Sequence, residues 1–251
     1  MDLFIDAILW IFSPDRLAGF DPLPLRLGEH LAYTFGAVAI ACLIAIPIGW
    51  LIGHTGKGRD VAVAISGAAR AVPSFGLLLG LILIVGVTRS TLAAVITFVL
   101  LAIPSILAGA YAGIEAVDRR TVDAARAMGM TEWQILWKVE IPLGLPLLIG
   151  GIRSAALQVV ATVTIAAYVA LGGLGIYIIA GIPLRRFDQV LGGAILVAVL
   201  ALLVDLVFAI LQRVVVPRGV ADGRAPELRT PSTRRRAVAG TPAVEGRGNP
   251  A

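Results

Sequence analysis

Residues 119–142, RRTVDAARAMGMTEWQILWKVEIP, form the most polar internal stretch of a chain that is otherwise apolar enough to lie in lipid. Good helix formers occupy the first half and run up to Gly129, a residue that tolerates the left-handed conformation in which helices often end. Thr131 and Gln134 have the spacing of a capping box, in which two side chains satisfy two free backbone amides at a helix start. The pattern predicts two short helices with a turn at Gly129, and Pro142 marks the start of the next element.

The composition is that of an integral membrane protein. Of 251 residues, 58% are hydrophobic, and the mean hydropathy is +0.92. The single cysteine, Cys42, excludes an internal disulfide. The net charge of +5 reflects arginines in predicted loops and in the C-terminal tail, without interleaved aromatic residues. This arrangement favours membrane orientation over nucleic-acid binding, and we expect no nucleic-acid partner.

Five apolar runs are long enough to cross a bilayer, which needs about 20 helical residues. They cover residues 31–52, 61–87, 91–116, 143–171 and 190–211. Glycines spaced four apart, typical of closely packed membrane helices, occur as Gly49 with Gly53, Gly76 with Gly80, and Gly109 with Gly113. The sequence therefore predicts an all-α bundle of about five transmembrane helices over residues 31–216, with a polar loop at 117–142.

The remaining segments are predicted to lie outside the spans. Residues 2–13 suit an apolar helix too short to cross, which we expect at the membrane interface within an N-terminal segment, 1–30. Pro14, Pro22 and Pro24 predict an extended connector after it. A glycine-rich stretch after residue 171 leads to another short apolar segment, which suggests a re-entrant or surface helix. The tail, 217–251, is rich in Arg, Pro, Gly and Ala and is predicted to be disordered and cytoplasmic.

The basic residues predict the orientation of the bundle. With five spans, one side of the membrane carries the Arg-rich tail together with Lys57, Arg59, Arg119, Arg120, Arg126 and Lys138. The other side carries Arg16, Arg26, Arg89, Arg185 and Arg186. The more basic side is cytoplasmic by the positive-inside rule. We therefore expect the N-terminus outside, and the C-terminus and residues 119–142 in the cytoplasm.

Three ionisable residues lie well inside the predicted spans: Arg70, Arg153 and Asp205. A charge in the hydrocarbon core is costly, so each is expected to have a partner or water. At 1.5 Å per residue, Arg153 lies about 16 Å beyond Pro142 and Asp205 lies about 12 Å before Arg213, both measured from the cytoplasmic side. We hypothesise that Arg153 and Asp205 interact, directly or through water. A pair that holds the assembly together is favoured over a direct contact with substrate.

The sequence offers no arrangement that supports catalysis or nucleotide binding. Gly56, Lys57 and Gly58 lack the spacing of a phosphate-binding loop, so a nucleotide that drives this protein must be bound by another subunit. The two histidines, His30 and His54, lie at opposite predicted ends of the first span, and neither metal-ligand spacing nor a nucleophile-base pattern is present. We expect no enzymatic activity, metal or cofactor in this chain.

The spacing Asp123-Ala124-Ala125, three residues, Gly129, nine residues, Val139, one residue, Ile141-Pro142 resembles the EAA loop of bacterial ABC-importer permeases. That pattern has Glu-Ala-Ala, and Ile before Leu-Pro, so this chain departs from it by Asp for Glu and by two aliphatic exchanges. In the family, the loop is a cytoplasmic coupling helix that docks in a groove of a separate ATPase subunit. The resemblance assigns the coupling contact to Asp123, Ala124, Ala125, Gly129, Met130, Val139, Ile141 and Pro142.

Three further runs resemble the osmoprotectant branch of these permeases, which carries glycine betaine, choline, carnitine and related quaternary amines. They are RAVPS at 70–74, GIRSA at 151–155 and AAYVALGGLG at 166–175. The resemblance implies the type I importer fold in a bacterial inner membrane, with alternating access driven by ATP that partner subunits bind. The expected partners are two cytoplasmic ATPases, a second permease that is identical or a relative, an extracytoplasmic binding protein and membrane lipid.

Three alternatives stay open on the sequence alone. The nearest is the same machine with another cargo, such as an amino acid or a sulfonate. An ion-coupled secondary transporter or channel would place Arg153 and Asp205 in an ion path and would need no ATPase. A purely structural membrane subunit would tolerate loss of the intramembrane charges.

Overall fold

Helices account for every regular element in residues 2–19 and 21–215, the part of the chain that the structure, a computed structural model, describes. The predicted tail, 217–251, and the side chain of Arg70 lie outside the described residues. The helices are α1 Asp2–Ile11, α2 Pro14–Ala18, α3 Leu23–Thr55, α4 Arg59–Ala71, α5 Ser74–Val85, α6 Ser90–Glu115, α7 Arg119–Ala127, α8 Glu132–Ile135, α9 Ile141–Ala166, α10 Gly175–Gly181 and α11 Phe187–Val215. Single 3-10 turns occupy Val87–Arg89 and Ala167–Val169, and a π-helical turn occupies Leu136–Glu140.

Four helical stretches of the described chain are long and apolar enough to cross a membrane: Leu23–Thr55, Val87–Glu115, Glu132–Val169 and Phe187–Val215. The run predicted at 61–87 is a bent pair, because α4 and α5 meet at 90°. Val72 is extended there, since a residue before proline is pushed out of the helical region, and Pro73 cannot donate a backbone hydrogen bond. Counted as one broken span, this pair makes the fifth member of the predicted bundle.

The prediction of an extended connector around the N-terminal prolines was wrong. Pro14 and Pro24 instead lie in the first turns of α2 and α3, and Pro22 is the residue that precedes α3. Proline is favoured at a helix start because its fixed φ suits the helix and the missing N–H would have no partner there. As a result α3 begins at Leu23, eight residues before the predicted span.

Both short apolar segments form helices that pack on α11. The first, α1, buries Ala7, Trp10 and Ile11, and its Trp10 ring lies against Gly192 of α11. The second, α10, is seven residues long and buries Tyr177, whose ring meets Trp10 edge-on with centroids 5.1 Å apart. The prediction that neither segment crosses the membrane alone agrees with their lengths.

The centre of the bundle is the contact between α6 and α9, where glycines let the two backbones touch. A Cβ added to Gly144 would lie 2.7 Å from backbone atoms of Gly113, and one added to Gly109 would lie 2.9 Å from the Cα atom of Gly151. Helices in lipid gain little from hydrophobic association and depend on such close packing. Gly49 of α3 similarly approaches α6, with an added Cβ 2.5 Å from the Cβ of Ala110.

The predicted glycine pairs therefore differ in what they do. Gly49 with Gly53 and Gly109 with Gly113 each mark a close helix contact, whereas Gly80 has nothing within 4 Å of an added Cβ atom.

Gly144→Ala is expected to destabilise the bundle, because its methyl group would collide with the backbone of α6, and overpacking of this kind costs about 1–3 kcal/mol. The midpoint of thermal unfolding of the detergent-solubilised protein measures this effect. Gly80→Ala adds the same methyl group in open space and should leave the midpoint within error. Equal midpoints for the two variants would contradict the close contact.

Candidate functional site

The polar segment at 119–142 folds as its local chemistry predicts. The Asp118 carboxylate accepts a hydrogen bond from the Arg120 amide at the start of α7. Gly129 then has a φ of +83°, the left-handed conformation that the turn requires. At the start of α8, the Gln134 amide donates to the Thr131 hydroxyl, and the Thr131 amide donates to the Gln134 side chain. The two helices, the turn and the capping box are confirmed.

The segment continues into the membrane without a break. After α8 the chain makes the π-helical turn Leu136–Glu140 and enters α9 at Ile141, one residue before the predicted boundary. Pro142 has no amide hydrogen and so cannot make the usual bond one turn back, and a wider π turn accommodates such a missing bond. The wider turn preserves the helical path, so α8 and α9 form one continuous helical stretch.

The motif residues have very different exposures. Asp123, Ala124 and Gly129 are exposed, and Met130, Val139 and Pro142 are half-buried, whereas Ala125 and Ile141 are buried. Three large apolar side chains that the motif does not include are also exposed: Met128 by 77%, Trp133 by 64% and Trp137 by 57%. Exposed apolar side chains on a polar segment are typical of a protein interface, because tryptophan and methionine are enriched there. The sequence pattern predicts Trp133 and Trp137 only as members of the second short helix and does not predict their exposure.

Ion pairs connect the two short helices. The Arg126 guanidinium donates from Nε to Glu132 Oε1 at 2.8 Å and from Nη2 to Glu132 Oε2 at 3.1 Å, and from Nη1 to Asp123 at 2.9 Å. These bonds to Glu132 raise the pKa of Arg126 above its ordinary value, so the guanidinium stays charged. The first acidic residue of the motif is thereby joined to the start of α8.

His54 links this network to the end of α3. Its Nδ1 atom lies 2.5 Å from the Glu140 carboxylate, which is buried, and its Nε2 atom lies 3.7 Å from the Glu132 carboxylate. Arg59 and Glu115, 3.0 Å apart, join the start of α4 to the end of α6 beside it. Together these side chains line a cavity of about 420 Å³. No local pattern in the sequence predicts the His54 contact, because Glu140 is 86 residues away.

Arg153 and Asp205 are in direct contact, as their similar predicted depths in the membrane suggest. Arg153 donates from Nε to Asp205 Oδ1 at 2.5 Å and from Nη2 to Asp205 Oδ2 at 2.7 Å. Each side chain keeps about a third of its surface exposed. Nearby, Gln212 donates to the Pro146 carbonyl oxygen at 3.0 Å, so two polar contacts hold α9 against α11. The third predicted charge, Arg70, lies in α4, and its side chain lies outside the described residues.

The described residues contain no candidate metal site. Among them, no three His, Cys, Asp or Glu side chains are grouped so that they could hold a metal ion. His30 is buried between backbone groups. Its Nε2 atom lies 3.1 Å from the Val160 carbonyl oxygen, and its Nδ1 atom lies 3.3 Å from the Leu174 amide that donates to it.

Comparison with known proteins places this arrangement in a family. The family described as binding-protein-dependent transport system inner membrane component matches residues 45–219, which include the polar segment at 119–142 and the Arg153–Asp205 pair. The chain belongs to this family. It is thus an ABC-importer permease component and a multi-pass membrane protein, and the predicted family is confirmed.

Similar permeases come from several bacteria. The carnitine transport permease protein OpuCB of Listeria monocytogenes is 35% identical over 220 residues, which are 88% of this chain and 98% of the relative. The glycine betaine/carnitine/choline transport system permease protein OpuCB of Bacillus subtilis (strain 168) is 31% identical over 78% of this chain and 89% of its own length. The osmoprotectant import permease protein OsmW of Salmonella typhimurium is 32% identical over 76% and 91%, respectively.

Solved structures support the fold. An inward-facing structure of the MetNI methionine ABC transporter aligns with 78% of this permease and 96% of its own chain, with a TM-score of 0.67 and 24% identity. The predicted type I importer permease fold is therefore confirmed.

Exchanging the two charges of the α9–α11 pair tests its role in assembly. Arg153→Asp places two acidic groups together inside the bundle, so the yield of folded protein after size-exclusion chromatography should fall severalfold. Adding Asp205→Arg restores a pair of opposite charge and should recover most of that yield. Failure of the double variant to recover would argue against a direct pair.

Proposed function

We propose that this permease imports small quaternary amines of the glycine betaine, choline and carnitine type, using ATP that a separate subunit hydrolyses. The observation that carries the proposal is the likeness, at 31–35% identity, to permeases named for these solutes. The runs at 70–74, 151–155 and 166–175, which resemble the osmoprotectant branch, add support from particular residues. An amino acid or a sulfonate as cargo is the alternative.

The ATPase subunit would dock on the coupling segment, α7 to α8. Asp123, Ala124 and Gly129 are exposed there, and small residues permit close approach of a partner backbone. Trp133 and Met128 add apolar side chains that could fill pockets of the partner, as buried aromatic anchors do in protein interfaces. The chain has no phosphate-binding loop of its own, so the nucleotide belongs to the partner.

Two routes would carry movement of the coupling segment into the membrane. One is the continuous helical path from α8 through Leu136–Glu140 into α9. The other is the His54 contact, which attaches the end of α3 to Glu140 and approaches Glu132. Since Glu132 also binds Arg126, a shift of α7 would reach α3 through three side chains. Trp50 of α3 reinforces this route by packing edge-on against Trp137 at 5.6 Å.

The proposed assembly lies in a bacterial inner membrane, with the N-terminus outside and the C-terminus and coupling segment in the cytoplasm. Its further partners are a second permease, identical or related, and an extracytoplasmic binding protein that delivers the solute. The distribution of basic residues supports the orientation, and the family description, which names a binding protein, supports the partner.

Co-purification with the ATPase subunit of the same transporter tests the docking surface. Gly129→Asp should abolish co-purification, because the side chain adds bulk and charge to the surface and strains a residue with φ of +83°. Gly56→Asp is the matched control, since Gly56 has φ of +69° and open space but lies outside the coupling segment. Equal loss in both variants would point to backbone strain alone, and retention in both would exclude this surface.

Reconstitution tests the cargo and the energy source together. Proteoliposomes that contain the permease, its ATPase and its binding protein should accumulate labelled choline, carnitine or glycine betaine when ATP is supplied. Uptake of an amino acid or a sulfonate instead would replace the proposed cargo. Uptake driven by an ion gradient without the ATPase would exclude the importer mechanism.

His54→Leu tests the second route. Loss of a hydrogen bond to a buried carboxylate should lower ATP-driven uptake about tenfold while the ATPase still co-purifies. His54→Gln keeps one N–H donor for Glu140 and should retain much of the wild-type rate. If the leucine variant transports as well as wild type, the contact does not transmit movement.

A further inference from the structure

The exposed face of α9 differs from the exposed faces of its neighbours. On α3 and α11 the exposed large side chains are mainly aliphatic, with Leu43 at 78% and Leu202 at 69%. On α9 the exposed positions recur every seven residues, which is close to two helical turns and therefore one face. They are Leu147, Ser154 and Ala161, with the half-buried Gln158 between them, and Tyr168 continues the seven-residue spacing in the 3-10 turn that follows α9.

Polar groups on a membrane helix rarely face lipid, because hydrocarbon cannot satisfy their hydrogen bonds. Ser154 and Gln158 bring a hydroxyl and an amide to this face, whereas the exposed large side chains of α11 are mainly leucine and valine, and its Asp205 and Gln212 bind α9. The polar face of α9, defined here by Ser154, Gln158 and Tyr168, therefore suits a water-containing passage better than a lipid boundary.

Phe75 and Tyr168 form an aromatic pair at one end of this face, namely the end that is farthest from the coupling segment. The rings of Phe75 and Tyr168 are 5.5 Å apart and inclined at 56°, and their residues are 39% and 58% exposed. Phe75 is placed there by the 90° bend at Pro73, and Tyr168 by the 3-10 turn that ends α9. The pair thus brings Phe75, the residue that follows the run 70–74, against Tyr168 of the run 166–175, which is far away in sequence.

We propose that Phe75 and Tyr168 form a transient binding site, called the station below, for the quaternary ammonium group of the cargo as it passes through the permease. This inference rests on the proposed function, because it needs a quaternary amine as cargo. Such a group has no N–H to donate and cannot be held by hydrogen bonds, but it is attracted to the faces of aromatic rings. Two inclined rings offer it two such surfaces.

The exposure of the pair fits a station that cargo must leave. Cation–π attraction is weak where water has access and stronger where the site is dry. At 39% and 58% exposure these rings would hold the cation briefly, so that it moves on along the polar face. A trapped cargo would stop transport.

Choline uptake by proteoliposomes containing the permease, its ATPase and its binding protein tests the station. At saturating binding protein, Phe75→Leu with Tyr168→Leu should lower choline taken up per ATP hydrolysed by about three- to tenfold, because the ring faces are lost while apolar bulk remains. Tyr168→Phe should retain the wild-type ratio. Phe35→Leu, which removes a 44%-exposed ring from α3, is the matched control and should also retain it.

Fluorinated phenylalanines at position 168 separate ring electrostatics from apolar contact. Successive fluorines weaken the negative face of the ring, so uptake per ATP should fall stepwise. An unchanged ratio across the series, or wild-type uptake by the double leucine variant, overturns the station. The double leucine variant could instead fail to assemble while the fluorinated variants all keep the same uptake per ATP. That result would assign the pair to a subunit interface and would also overturn the station.

Uptake by the wild-type protein distinguishes failure of the proposed cargo from failure of the station. If it takes up none of choline, carnitine and glycine betaine, the proposed cargo fails and the station fails with it. If it takes them up and the aromatic variants behave like wild type, only the station fails.

Discussion

Backbone contact between α6 and α9 is the constraint on which the rest of the bundle depends. Lipid is as apolar as a leucine side chain, so membrane helices associate by fitting closely rather than by leaving water. Glycines at 113 and 144 make that fit possible, and Gly49 repeats it between α3 and α6. Elsewhere polar contacts position the helices, such as the Arg153–Asp205 pair that joins α9 to α11.

Much of this could be predicted where the determining chemistry is local. Thr131 and Gln134 specify the start of α8 by bonding to each other, and Gly129 specifies the preceding turn by its conformational freedom. The Arg153–Asp205 contact was also accessible, because the cost of a charge in hydrocarbon and the rise per residue restrict its partners. The family followed from the spacing of residues 123–142.

Other features depend on partners distant in sequence. In the sequence, prolines 14 and 24 predict breaks between helices, yet the same missing N–H that breaks a helix interior suits its first turn. His54 has no partner nearby in the sequence, because Glu140 is 86 residues away and meets it only in the folded bundle. The exposure of Trp133 and the meeting of Phe75 with Tyr168 likewise depend on how distant helices pack, which no local pattern specifies.

The unbroken path through Leu136–Glu140 makes α8 the short arm, and α9 the long arm, of one helical lever. At 1.5 Å per residue, the 26 residues of α9 span about 39 Å. Tilting such an arm by about 10° about the end that adjoins Glu140 would sweep the opposite end through about 7 Å. That distance is comparable to the width of a small solute. A small displacement of α8 would therefore become a larger displacement at the far end of α9, without unfolding of any helical turn between them.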